Sequence, residues 1–568
     1  MSNRRPPDGS LQLDWVFGYN GHTARNNIRL NAAGHLLYYV AGVAVVHDLE
    51  NNKQSFFTGH DDDITSLTVS QDGTIAASGQ LGRDPSICVW GAGDTAPLSV
   101  LHDAHHTAVT ALAFSHDHQM LASVGGSPQR QEVVVWDWQK GRRVAAAVAY
   151  AGKVEEVEWA YGSTTHLVTC GDKHIKFWTL QGNVLRGRAG VWGSLGRQED
   201  QTSVSCLPDG RTVSGSAGGS LNIWGPDGKL QSTVVDVHPG GVLVTEVYRD
   251  WLLTGGRDGA ISIRDLQHFT VLTTVPETPS LVYEKPGPVH SIAASKDLIV
   301  AGTEQDEVWV IRMRGATPQG ATCVVQGHGV GEVWGLATHP SRSVAVTASD
   351  DCTVRLWDLE RRVPMATVLV AEAARCVAFS PDGLTVAAGL KNGAFVVFSS
   401  ENLEEQTRRR DRKEVLQDLK YSPDGLLLAV ASNENSVDIY NVTKNYERLL
   451  TVAGASSSIT HVDWDTTSAF LQLNSAAGER LIFRIQDGRS ELIDEADLPA
   501  EFEWASWTGV LGQPVAGLWH KYADLSDINA TDANFYYGVI VAGDDFGLVK
   551  LFRFPCPKRG AKARSFVG

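Results

Sequence analysis

Hydrophobic and polar positions alternate along most of this chain in short runs, and one kind of run returns at regular intervals. It is rich in β-branched residues, usually ends in an aromatic residue, and is followed by a turn. The clearest copy is TVRLWDL, which ends its apolar part at Trp357. Ten copies from Trp90 to Phe483 follow one another at intervals of 40 to 47 residues. Such runs predict β-strands joined by tight turns, and the fixed period predicts a repeat architecture.

Each period contains the same succession of elements. Around Trp357 it reads as a Gly-His pair, the strand VWGLATH, the turn PSRS, the strand VAVTAS, a tight turn and the strand TVRLWDL; PMATVLV follows as a fourth strand. Four short strands per period, with Gly-His early and Trp-Asp late, are typical of a WD40 blade. Counting VAVVHD near His47 and the run ending at Phe552, the chain has twelve closing strands. One ring usually holds four to eight blades, so we predict an all-β fold with a tandem pair of WD40-type β-propellers.

A Gly/Pro/Thr-rich stretch, MRGATPQGATCVV, lies near residues 313–325 and precedes the clearest copy of the repeat. Such composition is common in connections between folded units. The prediction is therefore a disordered leader over residues 1–10, a first propeller over 11–318 and a second, atypical propeller over 319–568.

Four polar or aromatic side chains of one blade, His328, Ser349, Asp351 and Trp357, are predicted to form a hydrogen-bonded network inside it. A His near an Asp and a Ser also suggests a catalytic triad. However, parts of the set recur in other blades, and buried polar groups of every blade need partners. With no G-x-S-x-G, H-E-x-x-H or P-loop motif in the sequence, we expect no enzyme activity and no catalytic, cofactor or metal site.

The overall charge is −16, which disfavours nucleic acid as a partner because phosphate binding requires a cationic face. The sequence has no apolar run of the roughly 18–20 residues that a membrane-spanning helix needs, so no membrane partner is expected. The seven cysteines are scattered and form no C-x-x-C pair. This distribution indicates buried thiols in a reducing compartment, in keeping with the cytoplasm.

Three blocks outside the repeat resemble one family. WVFGYNGHTARNN near the start, with LLYYVAGVAVVHD and QSFFTGH after it, is similar to the HELP motif of the echinoderm microtubule-associated protein-like family. GEVWGLATHP, WASWTGVLGQPVAGLW and AGDDFGLVKLFRFPC match further phrases of that family in the same order. The resemblance covers the chain from Leu11 to Phe566. It implies a pair of joined propellers, with the HELP segment built into the first blade and the shared core, and binding to tubulin or microtubules.

The sequence departs from the family pattern at both ends. Many family members carry an N-terminal coiled coil and a basic Ser-rich stretch, whereas here about ten residues precede the HELP-like block. The sequence stops at SFVG, where the pattern would continue through another Gly-His and a Trp-closed unit. Either the sequence is a fragment of a longer protein, or the last blade is left open or completed by something else. We expect an apparently incomplete last blade, and an open blade would expose strand edges that could pair with a partner.

The resemblance implies a non-enzymatic, microtubule-associated scaffold of the cytoplasm and cytoskeleton. A −16 chain is repelled by acidic tubulin unless its basic residues are clustered. The charge therefore predicts a weak intrinsic affinity for tubulin. Weak affinity suits a repetitive lattice, where many contacts act together, such as the doublet microtubules of a ciliary or flagellar axoneme. Other cytoskeletal or axonemal proteins are then expected as further partners. The alternative is a general WD40 adaptor, for example in ubiquitin transfer or vesicle coats. Candidate contacts are the basic residues of three clusters: Lys140, Arg142 and Arg143; Arg408, Arg409 and Arg410; Lys558, Arg559, Lys562 and Arg564.

Overall fold

The computed structural model describes residues 5–103, 105–127, 129–194, 196–275, 287–520 and 528–567. The chain divides into two compact units. One comprises Asp14–Gly329, and the other comprises Val330–Gly568 together with Met1–Leu13. Both are built from antiparallel four-stranded sheets, which confirms the predicted all-β tandem of propellers. The described helical segments are the short 3-10 helices Trp138–Lys140, Val442–Lys444, Glu495–Asp497 and Gln513–Leu518.

The described residues of the unit Asp14–Gly329 form seven successive blades, each with its strands in chain order. The second and third blades are joined into one eight-stranded sheet by a pairing of β6 with β9. The strands are β1 Arg29–Leu30, β2 Leu36–Val40, β3 Val43–Asp48, β4 Lys53–Phe57; β5 Ile64–Val69, β6 Ile75–Gly82, β7 Ile87–Gly91, β8 Pro97–Leu101; β9 Thr107–Phe114, β10 Met120–Ser127, β11 Arg130–Asp137, β12 Arg142–Tyr150; β13 Val154–Trp159, β14 His166–Gly171, β15 His174–Gln181, β16 Val184–Ala189; β17 Gln201–Cys206, β18 Thr212–Ser216, β19 Leu221–Trp224, β20 Leu230–Val234; β21 Val242–Tyr248, β22 Trp251–Gly256, β23 Ile261–Asp265, β24 Val271–Val275; β25 Val289–Ala294, β26 Leu298–Thr303, β27 Glu307–Arg314 and β28 Thr317–Gln326.

In the second unit, the part of the chain that the structure describes forms five four-stranded blades. Their strands are β29 Val333–Thr338, β30 Val344–Ser349, β31 Thr353–Asp358, β32 Val363–Leu369; β33 Ala374–Phe379, β34 Thr385–Leu390, β35 Ala394–Ser399, β36 Glu405–Arg410; β37 Leu416–Tyr421, β38 Leu427–Ser432, β39 Ser436–Asn441, β40 Glu447–Ala453; β41 Ile459–Trp464, β42 Phe470–Ser475, β43 Arg480–Gln486, β44 Arg489–Ile493; β45 Ile528–Asn534, β46 Val539–Asp544, β47 Leu548–Arg553 and β48 Arg564–Val567.

Each of the twelve predicted closing runs is the third strand of a blade, from β3 to β47. Most of these strands are buried on both sides: Trp90 and Trp224 are fully enclosed, and so are Val354 and Leu356 in the strand of Trp357, whereas β47 is mainly half-buried. Fourth strands such as β36 are exposed at alternate positions or more. The recurring aromatic residue therefore marks the place where each blade packs against its neighbour.

The N-terminal segment before β1 fastens the first blade of the first unit to its seventh. The Asn26 amide donates to the His290 carbonyl over 3.0 Å, and β1 contacts β25. The Gly21 amide donates to Asp306 Oδ1 over 2.6 Å, and the Asn27 amide donates to Ser291 Oγ over 3.0 Å. The HELP-like block is thus part of the first ring, and its Gly-His turn contacts the seventh blade of that ring.

Two predictions about the second propeller, the residue where it begins and the state of its last blade, differ from the observed structure. The stretch near residues 313–325 forms the β27–β28 hairpin of the seventh blade, and the units divide between Gly329 and Val330. Its composition resembles a linker because β28 is an outer strand with half of its positions exposed. The last sheet, expected to be incomplete, has a fourth strand, β48, which pairs with β47.

Residues 1–4 of the expected disordered leader lie outside the described part of the chain. Asp8 and Pro7 contact the last sheet: Arg553 lies 3.0 Å from the Asp8 carboxylate, and Arg564 Nε donates to the Pro7 carbonyl over 2.8 Å.

Candidate partner-binding surfaces

Each Trp-closed blade contains a polar contact with a fixed geometry. The indole N–H donates to a hydroxyl two residues beyond the Trp's cross-strand partner on the second strand. The pairs are Trp90–Ser78 at 3.0 Å, Trp136–Ser123 at 2.9 Å, Trp178–Thr169 at 3.0 Å, Trp224–Ser214 at 2.9 Å and Trp357–Thr347 at 2.8 Å. Because the arrangement recurs, it serves the fold and does not mark one active site.

In the second and third blades a histidine completes this contact. His60 Nε2 lies 2.7 Å from Ser78 Oγ, and His105 Nε2 lies 2.7 Å from Ser123 Oγ. Burial lowers the pKa of His105 to about 4, so this ring is neutral at physiological pH. A neutral imidazole shares the hydroxyl with the indole and leaves no buried charge.

The blade closed by Trp357 differs in detail from the predicted network. Its indole donates to Thr347, a residue outside the predicted set, whereas Ser349 Oγ accepts a hydrogen bond from the Asp351 amide at 3.2 Å. Asp351 also lies 3.4 Å from the guanidinium of Arg355, and both side chains are almost fully buried. The role predicted for His328 stays a prediction.

The axis of the first ring holds a cavity of about 290 Å³ lined by opposed charges. Glu156 and Glu158 of β13 and Glu246 of β21 face Arg25 and Arg29 of the N-terminal segment. Burial raises the pKa of Glu156 to about 7 and raises the pKa values of Glu158 and Glu246. Glu156 accepts hydrogen bonds from Asn26 Nδ2 and, over 2.8 Å, from the amide of Val204 on the next blade.

The second unit has a larger cavity, of about 480 Å³, with a half-exposed tryptophan on its wall. Trp334 Nε1 donates to Asp350 Oδ2 over 2.9 Å, and the Arg375 guanidinium lies 4.2 Å from the ring centre. Arg375 also lies 3.3 Å from Asp350. Each of these three side chains contacts the other two, and the contacts fix the position of the Trp334 indole.

The cluster Lys140, Arg142 and Arg143 surrounds the short 3-10 helix of the third blade. Lys140 and Arg142 lie 2.9 and 3.4 Å from the same carboxylate, that of Asp137. Hydrogen bonding to Lys140 holds the pKa of Asp137 below its usual value. Two of these three cations are therefore partly neutralised.

The cluster Arg408, Arg409 and Arg410 lies on the outer strand β36. Arg408 pairs with Glu405 at 2.8 Å. The neighbouring guanidinium groups donate to backbone carbonyls: Arg409 to Asn445 over 2.5 Å and Arg410 to Asn392 over 3.1 Å. Through these contacts the three arginines are bonded mainly to neighbouring residues of the same unit.

Lys558, Arg559, Lys562 and Arg564 are all exposed, and they lie in or beside the loop that joins β47 and β48. We call residues 554–563 the basic loop. Two backbone hydrogen bonds attach this loop to the 3-10 helix Gln513–Leu518. The Cys556 amide donates to the Pro514 carbonyl over 2.7 Å, and the Ala561 amide donates to the Gly517 carbonyl over 3.0 Å. Within the described residues, Lys558, Arg559 and Lys562 have no carboxylate within ion-pair distance. They form the least compensated of the three clusters.

Other kinds of site find little support in the part of the chain that the structure describes. It contains no group of three or more His, Cys, Asp or Glu side chains that could hold a metal ion. The seven cysteines are free thiols, and Cys88, Cys170, Cys206, Cys376 and Cys556 are buried. None of the described helices is long and apolar enough to cross a membrane.

Comparison with known families assigns nearly every part of the chain. Residues 6–45 match the HELP motif, residues 53–311 the first β-propeller of echinoderm microtubule-associated proteins, and residues 333–568 their second β-propeller.

Three relatives align over 99% of this chain. Human echinoderm microtubule-associated protein-like 2 is 33% identical, with 87% of its own length covered. The 77 kDa echinoderm microtubule-associated protein of Strongylocentrotus purpuratus is 31% identical, with 82% covered. Human echinoderm microtubule-associated protein-like 1 is 31% identical, with 69% covered.

Proposed function

The chain belongs to the echinoderm microtubule-associated protein-like family, and from this membership we propose that it is a non-enzymatic scaffold that associates with microtubules. The observation that points to particular residues is that Lys558, Arg559 and Lys562 are exposed on the basic loop. Tubulin surfaces are acidic, and a chain of charge −16 needs a local cationic face to approach them. These three cations supply such a face.

The other two clusters are weaker candidates for the same role. Lys140 and Arg142 share Asp137, and Arg408 is paired with Glu405. Cations that already have a carboxylate partner lose that interaction when they meet a new one, so their net gain on binding is small. We therefore assign the tubulin contact to the basic loop, with Arg564 beside it.

Three exposed cations support only weak attachment to a single tubulin subunit, because exposed ion pairs contribute about 0.2–1 kcal/mol each. Attachment becomes stable when many contacts act together in a repetitive lattice. This favours a role in a long-lived cytoskeletal structure, and we propose the doublet microtubules of a cilium or flagellum as its place, with axonemal proteins as further partners.

Co-sedimentation with taxol-stabilised microtubules at low ionic strength tests the assignment. The variant Lys558→Glu/Arg559→Glu/Lys562→Glu reverses the three uncompensated cations. The control variant Lys140→Glu/Arg142→Glu/Arg143→Glu makes the same change in net charge at the other cluster. We expect the first variant to bind at least about tenfold more weakly and the control to change binding by less than about threefold, as the different compensation of the cations implies.

Two results would contradict the proposal at different levels. Equal pelleting of the wild type and the basic-loop variant would remove this loop from the interface. Failure of the wild-type protein to pellet with microtubules at any salt concentration would overturn microtubule association itself.

A further inference from the structure

Two tyrosines project from the last sheet of the second unit. Tyr536 is 90% exposed and Tyr537 is 72% exposed, and both lie in the turn between β45 and β46. Their rings meet edge to face with centroids 4.9 Å apart. Tyrosine is enriched in protein interfaces because it supplies a large contact area with few rotatable bonds.

This turn lies at the same end of the sheet as the basic loop. Val539 at the start of β46 pairs with Arg553 at the end of β47, so the turn before β46 and the loop after β47 leave the sheet together. The Phe554 amide donates to the Gly538 carbonyl over 2.8 Å, and the rings of Phe535 and Phe554 lie 5.4 Å apart. The turn and the loop are thus joined at their bases.

The turn and the loop themselves carry charge of one sign, and the nearby carboxylate of Asp8 lies 3.0 Å from Arg553 at the base of the loop and is paired with it. Residues 534–538 and 554–567 include no Asp or Glu, whereas the loop contains Lys558, Arg559 and Lys562. The loop backbone is fixed by the hydrogen bonds to Pro514 and Gly517 and by that of the Gly560 amide to the Trp519 carbonyl at 3.0 Å. A binding surface that is already ordered loses less conformational entropy when it binds.

We propose that Tyr536, Tyr537, Lys558, Arg559 and Lys562 form one binding surface, the tyrosine–cation surface, for an extended acidic peptide segment of a partner protein. The cations attract the carboxylates of the segment, and the tyrosine rings pack against an apolar or aromatic side chain within it. This inference rests on the proposed function only in taking the basic loop as a contact region. It adds the tyrosines and the chemistry of the partner.

A peptide fits this surface better than an anionic membrane does. Recognition of anionic lipid usually involves four to eight clustered basic residues, whereas the loop offers three, and Arg564 beside it already donates to the Pro7 carbonyl. Tyr536 and Tyr537 carry hydroxyl groups that suit hydrogen bonding to a peptide. The −16 net charge of the chain would also repel an extended anionic bilayer more strongly than a short peptide.

The test measures fluorescence anisotropy of a fluorescein-labelled oligoglutamate peptide with one central phenylalanine, titrated with the full chain at low salt. A second peptide has serine in place of phenylalanine. We expect Tyr536→Ser/Tyr537→Ser to weaken binding of the phenylalanine peptide about fivefold. Lys558→Glu/Arg559→Glu/Lys562→Glu should abolish binding of both peptides. Tyr161→Ser, at a half-exposed tyrosine of the first unit, is the matched control and should change nothing.

The two peptides form a double-mutant cycle with the tyrosines. If the tyrosines contact the central residue, the phenylalanine peptide binds more tightly than the serine peptide to the wild type but not to Tyr536→Ser/Tyr537→Ser. The proposal is overturned if this preference survives in the variant, or if the wild type does not bind the peptide. It is also overturned if vesicles of phosphatidylcholine and phosphatidylserine, and not the peptide, bind through the same residues.

Parallel pelleting with microtubules separates this inference from the proposed function. Microtubule binding that depends on the three cations but not on the tyrosines, with no peptide binding, would leave the proposed function standing and remove the tyrosine–cation surface. Peptide binding with the expected preference, in a protein that does not pellet with microtubules, would do the reverse.

Discussion

The backbone amide of Gly21 donates to the carboxylate of Asp306 over 2.6 Å, although 285 residues separate them in sequence. The same carboxylate accepts the His22 amide at 3.2 Å and lies 3.0 Å from His22 Nδ1. Gly21 lies before the first blade of the first ring and Asp306 lies in the seventh, so this contact fastens the two ends of one ring. A Cβ added at Gly21 would lie 1.9 Å from the carbonyl oxygen of Thr303.

Removal of this carboxylate should open the first ring locally. Asp306→Ala leaves the buried amide of Gly21 without its acceptor, and we expect the free energy of unfolding to fall by about 2–4 kcal/mol. Asp306→Asn keeps an acceptor oxygen and should cost less. Urea denaturation measures both, with Asp250→Ala in an exposed turn of the same unit as the control. Equal stability of Asp306→Ala and the wild type would show that the contact does not hold the ring.

The hydroxyl beneath Trp357 provides a second test. Thr347→Val keeps the shape of the side chain but removes the acceptor of the buried indole N–H, and we expect it to cost about 1–2 kcal/mol. Thr347→Ser keeps the hydroxyl and should cost less. Ser349→Ala removes the residue chosen from the sequence and should also cost less than Thr347→Val. Urea denaturation monitored by tryptophan fluorescence ranks the three, and the reverse order would contradict the observed hydrogen bond.

The repeat itself was predictable because every blade buries the same strand. An apolar third strand is needed in each of the twelve described blades, so the period emerges even where Arg264 or Ile311 replaces the closing aromatic residue. The boundary between the units was less predictable. Outer strands such as β28 are solvent-exposed and rich in small polar residues, so their composition does not differ from that of a linker.

The candidate site was only partly predictable. Thr347 and Ser349 are two residues apart on β30, so both side chains lie on the same face of the strand. Only the cross-strand register decides which of them reaches Trp357. The exposed Tyr536 and Tyr537 were missed, although three consecutive aromatic residues followed by a glycine are a signal in their own right. The ranking of the basic clusters needed the structure, because a carboxylate such as Asp137 compensates a cation through space.

The carboxylates at the axis of the first ring should make its stability depend on pH. Burial raises the folded-state pKa of Glu156 from 4.5 to about 7. Because the folded pKa is the higher one, the stabilising contribution is fully present below pH 4.5 and is lost as the pH rises to about 7. Glu156→Gln should flatten this part of the profile, whereas Glu50→Gln at an exposed turn should leave it unchanged. Thermal melts across pH 4.5–8 measure it, and identical slopes in wild type and Glu156→Gln would contradict it.

Finally, the basic residues should separate into those that stabilise a blade and those that are free to bind. Arg409 donates to the carbonyls of Asn445 and Tyr446 over 2.5 and 3.2 Å, whereas Lys558 has no carboxylate partner among the described residues. Arg409→Ala should lower the free energy of unfolding by about 1–2 kcal/mol, and Lys558→Ala should change it by less than about 0.5 kcal/mol. Urea denaturation gives both values. If Lys558→Ala were the more destabilising, the basic loop would be a structural element, and its cations would not be available to an acidic partner.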